Sequence, residues 1–269
     1  MDKNTSGGSD FLLASAQQQN QCAFESRRRL PQLNVEIQTT YENLGALLFL
    51  LDRFASCFWG CHGKKHVIEF LVGRTVSCAR AALRLIEFGH YDEAMALIRN
   101  IMEVGNLMWL FFVEPDHIRG WLDAPEDERR KRYSAVLVRK SLEGLGAGVP
   151  HEQTQYALAS GTGVHPSPKG PQSHNLHEVP TVGGIYQEKG FVSCLVKLAW
   201  ATASVGGPAA KLAELDSGRA QETVDAATRL VEELPDVEDY IEVTGSSEEI
   251  KARAQWTDEN VRGKEWSDG

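Results

Sequence analysis

The sequence predicts an all-α fold, a helical bundle of six or seven helices around a central antiparallel hairpin with arms at 66–88 and 91–113. Three observations carry this. Apolar residues recur at spacings of three and four along most of the chain. No segment shows the period-two alternation of a strand set. The two longest patterned segments meet at Gly89 with almost no chain between them, so they must fold back on each other.

The elements follow in order. Residues 1–32 are rich in Gln, Ser and Asn and end in Arg27-Arg28-Arg29, the composition of a flexible polar arm, mobile or loosely helical. A helix is expected over 33–59 from Leu44, Leu47, Leu48, Leu51 and Phe54, with Gly60 and Gly63 breaking it. The 66–88 helix carries one apolar stripe, from Ile68 through Leu71, Val72, Val76, Ala79 and Ala82 to Ile86. Arg74, Arg80 and Arg84 lie off that stripe, and Gly89 fits a left-handed C-terminal cap. The 91–113 helix starts with Asp92 and Glu93 at its positive end and finishes almost wholly apolar, which places it at the centre.

Beyond it, Asp116 starts a short helix, and Pro125 to Leu145 reads as one helix whose acids precede its bases, a solvated face. Glycines at 144, 146 and 148 end it. A short helix over 151–160 leads into an irregular stretch to about Gly184, which holds His165, His174 and His177. Helices over 189–205 and 209–233 are separated at Gly206-Gly207-Pro208. The bundle domain therefore spans 33–234, and 235–269 is an acidic C-terminal extension.

Charge sharpens that division. Sixteen acidic and six basic residues fall from Glu214 to Asp268, so the net charge of −9 belongs to the C-terminal quarter and the body is nearly neutral. No broad basic stripe marks a duplex-binding face. The apolar runs Leu44–Leu51 and Val104–Val113 fall short of the roughly 20 residues that span a bilayer. The odd number of cysteines suits reduced thiols. A cytoplasmic protein with no membrane segment is expected.

One polar constellation interrupts the central helix. Arg99, Glu103 and Asn106 share a face among Ile98, Ile101, Met102 and Leu107. Buried charge needs partners. Either Arg99 and Glu103 form a salt bridge that fixes helix register, or they line a polar pocket. His165, held extended by Pro166, is a candidate for proton transfer. The Cys57-x3-Cys61-His62-x3-His66 pattern offers soft ligands. Cys57 and Cys61 share a helical face while His62 and His66 lie well round from it, Gly60 and Gly63 break the helix, and structural zinc usually takes two separated ligand pairs, so no metal or other cofactor is expected.

The segment from Ala81 to Leu110 carries a Gly-His-Tyr-Asp-Glu-Ala turn followed by Arg99-Asn-Ile-Met-Glu103, and Leu158–Ser167 ends in His-Pro-Ser. With these motifs the stretch 66–205 resembles an uncharacterised bacterial family of all-helical proteins. That family is similar to the HEPN (higher eukaryotes and prokaryotes nucleotide-binding) bundles, many of them RNA-cutting toxins or phage-defence proteins and often dimers. The resemblance implies a homodimer directed at RNA or a nucleotide in a defence or toxin–antitoxin role. It implies a catalytic cluster of Arg99, Glu103 and His165, with Asn106 and Ser167 in binding. Arg84 and His90 match the spacing of the HEPN Arg–His motif, but His90 falls in the interhelical turn. The alternative is a non-enzymatic bundle that binds a partner protein or small ligand, with the acidic tail as an interaction segment.

Overall fold

A computed structural model describes residues 4–61, 66–164, 183–213 and 215–235. Among them are ten α-helices and no strand: α1 Asn4–Arg29, α2 Val35–Ala55, α3 Val67–Glu87, α4 Tyr91–Val113, α5 Asp116–Asp123, α6 Glu126–Arg132, α7 Ala135–Gly144, α8 Gln153–Gly163, α9 Glu188–Leu212 and α10 Ser217–Glu232. The fold is the expected all-helical bundle, with more helices than expected.

The α3–α4 hairpin closes at Gly89, whose φ is +76°. The Gly89 N–H donates to Ile86 O at 3.1 Å and the His90 N–H to Leu85 O at 2.8 Å, the paired bonds of a Schellman cap. Glycine is required twice over, because a Cβ here would also lie 2.5 Å from Ile185 O. The strand of chain entering α9 thus rests directly on the hairpin turn. Beside it, buried Tyr91 accepts a hydrogen bond from the Gln187 N–H at 2.9 Å, and its ring covers Gly190, where no side chain would fit.

The two central helices are α4 and α9. By length and composition each is apolar enough to cross a membrane. In this fold they pack against each other and against α2, α3 and α8, and Ile98, Ile101, Met108, Phe111, Leu195 and Leu198 are fully enclosed between them and their neighbours.

Three boundaries differ from the sequence reading. Residues 4–29, expected as a mobile or loosely helical arm, form one continuous helix that docks on the bundle. Cys22, Ala23 and Ser26 of α1 are buried, Ser26 Oγ donates to Glu87 O at 3.0 Å, and Arg27 pairs with Glu87 at 2.7 Å. A mostly polar helix is thus held by a narrow seam on the end of α3. The expected break at Gly206-Gly207-Pro208 is absent, and α9 runs through it. A Cβ on Gly206 would come within 3.1 Å of both Leu47 and Ala227. Close packing of α2 and α10 on this turn outweighs the missing N–H of Pro208. The real interruption lies before Asp216, whose side chain caps α10 by accepting from Arg219 N at 3.1 Å. The expected 125–145 helix divides at Tyr133-Ser134 into α6 and α7.

Candidate functional site

α4 sets the site. Its face carrying Arg99 and Glu103 looks toward α8 and α7, which bring Tyr156 and Arg139 to it. Arg99 pairs with Glu103 at 3.0 Å across one helical turn. The Tyr156 hydroxyl joins both: it donates to Glu103 Oε1 at 2.6 Å and accepts from Arg99. Burial, then the Glu103 carboxylate, pushes the Tyr156 phenol above its ordinary range.

Two guanidiniums stack on the same ring. The Arg99 and Arg139 Cζ atoms stand 4.6 and 4.9 Å from the Tyr156 centroid. Arg139 is 3% exposed and is held by Gln153 Oε1. No carboxylate among the described residues pairs with it, and one terminal nitrogen, like Arg99 Nε, is buried without a hydrogen-bond partner. The cluster therefore holds two permanent cations and one carboxylate. Arg99 and Glu103 are about a quarter and a third exposed, so the cluster is open on one side and closed behind Arg139.

Asn106 does something else. Its side chain donates to His151 O and accepts from His151 N, both at 3.0 Å. This clamps the chain just before α8, which then starts with a capping box between Glu152 and Gln155. His151 is fully buried beside Trp200. Its Nε2 meets Ser204 Oγ at 2.9 Å, and that hydroxyl donates its own proton to Ala201 O at 2.7 Å. Nε2 must then carry the imidazole proton, and Nδ1 is a buried acceptor without a donor. Burial lowers the His151 pKa from 6.5 to about 4. Asn106 is thus a structural clamp one turn below the arginine cluster, where the sequence placed a binding residue.

His165 and Ser167 lie outside the described residues, as do His174 and His177. Arg84 and His90 do not form a pair: Arg84 is bound to Glu87 at 2.8 Å, while His90 faces Glu93 at 3.9 Å. The basic run of α6 is a solvated face as expected. Arg130 and Arg132 bond to acids one turn earlier, and Arg129 also caps Ala124 O at 2.7 Å.

A second cluster lies at the other end of α3. α2 stops at Ala55, so Cys57 is not helical, and its φ of +54° turns it toward Cys61 and His66. Their ligand atoms all lie within 4.8 Å of one another. The end of α2 at Ala55 and the positive φ of Cys57 remove the helical phase that set His66 apart from the thiols.

The sequence reading missed Arg139, Tyr156, Gln153 and His151. Only Arg139 left a trace, since it lies three residues before Leu142 and next to Val138, on the side of α7 that turns inward.

The fold and the cluster together define an all-helical bundle with a partly buried arginine–tyrosine site. Comparison with family models, curated proteins and solved structures finds no match for the chain.

Proposed function

We propose that the chain binds a phosphate-bearing ligand, a nucleotide or RNA, at Arg99, Arg139 and Tyr156. The observation that carries this is Arg139, a guanidinium 3% exposed, one terminal nitrogen of which has no hydrogen-bond partner and which no carboxylate among the described residues neutralises. A buried cation without a counter-ion is costly. Phosphate oxygens supply both the charge and the paired acceptors that guanidinium groups fit. Tyr156 orients both arginines, and Glu103 keeps Arg99 in place while leaving the excess positive charge uncompensated. The resemblance to HEPN bundles agrees with this reading, and with it the defence or toxin role, the homodimer and the cytoplasmic location stay part of the proposal. Turnover of an RNA in this reading assigns the proton transfer to His165.

Calorimetric titration with pyrophosphate, a nucleoside triphosphate and a short single-stranded RNA tests it. Binding weakens at least about tenfold in Arg99→Met, whose side chain is exposed enough to leave the fold intact, and RNA affinity falls steeply with salt. Absence of heat with all three, or equal affinity in the variant, rejects the reading. If RNA is cut, His165→Ala abolishes cutting without abolishing binding.

A second reading has its own observation. An apolar groove of about 500 Å³ lies between the ends of α4, α9 and α10, lined by Trp109, Phe112, Pro208, Val224 and Val231. Its size and lining suit a small apolar ligand or a partner's side chains. Trp109 fluorescence that shifts with such a ligand, and stays unchanged in Val231→Glu, favours this alternative.

A further inference from the structure

We propose that Cys57, Cys61 and His66 hold a zinc-class divalent cation, with the Glu69 carboxylate beside them closing the site. The three ligand atoms converge within 4.8 Å, from a turn after α2 and from the residue that precedes α3. His66 Nδ1 is approached by two other ligand-type atoms at once. Cys57 Sγ lies 3.7 Å away and Glu69 Oε1 3.4 Å away. In a tetrahedral zinc site with ordinary bond lengths, a sulfur–nitrogen edge measures about 3.6 Å and a nitrogen–oxygen edge about 3.3 Å. One imidazole nitrogen cannot serve a thiol and a carboxylate at those distances equally well by hydrogen bonding alone. A cation between the three accounts for both separations.

The backbone adds a separate reason. Among the described residues, only Cys57 (φ +54°) and His66 (φ +46°) are non-glycine residues in left-handed conformation. Each is a strained conformation for a residue that carries a Cβ. Both are members of this three-residue set, and the conformation is what turns their side chains inward. Glu69 is 3% exposed, one turn into α3. A carboxylate in that place either completes the tetrahedron or fixes the imidazole, and in both roles it balances the cation's charge. Two thiolates and one carboxylate around a divalent ion suit zinc, and the softness of the sulfur ligands disfavours magnesium and calcium. Binding releases two thiol protons, so affinity rises with pH until both thiols are ionised.

The site lies on the opposite end of α3 from the turn at Gly89 and shares no residue with the arginine–tyrosine cluster, so each proposal stands or falls alone. The test uses the full chain, reduced and stripped with a chelator, then titrated with cobalt(II). One cobalt per chain is expected, with thiolate-to-cobalt charge-transfer bands and the visible bands of tetrahedral cobalt, which zinc then displaces. Cys57→Ala/Cys61→Ala removes these bands while helical content by circular dichroism is unchanged. His66→Ala weakens the metal, and Glu69→Gln weakens it about 10- to 100-fold. The proposal is overturned if the wild-type chain gives no charge-transfer bands, if the double-cysteine variant keeps them, or if the reduced thiols bind cobalt equally well without His66.

Discussion

The Tyr156 hydroxyl donates to Glu103 Oε1 at 2.6 Å while its ring carries the guanidiniums of Arg99 and Arg139 on its faces or edge within 5 Å. The polar end and the aromatic body of one residue therefore do separable work. Tyr156→Phe keeps the ring and removes the hydroxyl, at a cost of about 1 kcal/mol for a half-exposed bond to a carboxylate. Tyr156→Leu also removes the cation–π partner and costs about 1 kcal/mol more. Urea unfolding of the three chains measures both. Equal midpoints for the two variants would show that the stacking contributes nothing.

His151 makes stability fall on mild acidification. Its folded pKa is lowered from 6.5 to about 4 because it is enclosed and neutral. Below pH 6.5 the unfolded chain takes up a proton that the folded chain refuses. Stability is therefore lost progressively from about pH 6.5 down to about pH 4, where the folded form is protonated too. The loss is roughly 3 kcal/mol over that window. His151→Asn removes this part of the pH dependence. Parallel curves of unfolding free energy against pH for the two chains would contradict the assignment.

Gly89→Ala is destabilising for two independent reasons, the left-handed φ of +76° and the approach of Ile185 O to 2.5 Å of the new Cβ. The conformation alone costs roughly 1–2 kcal/mol, and the carbonyl is backbone that cannot simply rotate away. A substitution at Gly45, where nothing lies within 4 Å of a Cβ, is the matched control and is neutral or stabilising. Thermal unfolding separates them. A Gly89→Ala chain as stable as the control would mean that the turn relaxes freely.

The hairpin was legible because its signals are local. The stripe of α3, the acids at the start of α4 and the glycine between them each act within a turn or two of themselves. Arg99 and Glu103 were legible as a polar interruption of an apolar helix. Whether they paired only with each other was not, because Tyr156 comes from a helix more than fifty residues away. The 125–145 stretch reads as a solvated face because its acids precede its bases; the position of Arg139 beside Val138 and Leu142 is only a faint inward signal, and its burial is decided by how α7 docks on α4. The docking of α1 was not legible for a similar reason: its helix is held by Ser26 and Arg27 reaching Glu87, some sixty residues on. The convergence of Cys57, Cys61 and His66 was not legible because it depends on the left-handed φ of Cys57 and His66, which spacing along the chain does not reveal.

The chain on either side of 165–182 meets the same end of one helix. Gly163 sits so close to α4 that a Cβ would lie 2.6 Å from Asp92 O, and Ile185 rests on Gly89, one turn earlier. The two described ends, Gly163 and Ile185, therefore stand at neighbouring points on the bundle. Joining ends fixed this close costs a folding free energy that changes only slowly with the number of residues between them. Replacing 165–182 by a short linker is therefore expected to leave the helices that hold Arg99 and Arg139 folded, which separates any role of His165 and Ser167 from that of the arginines.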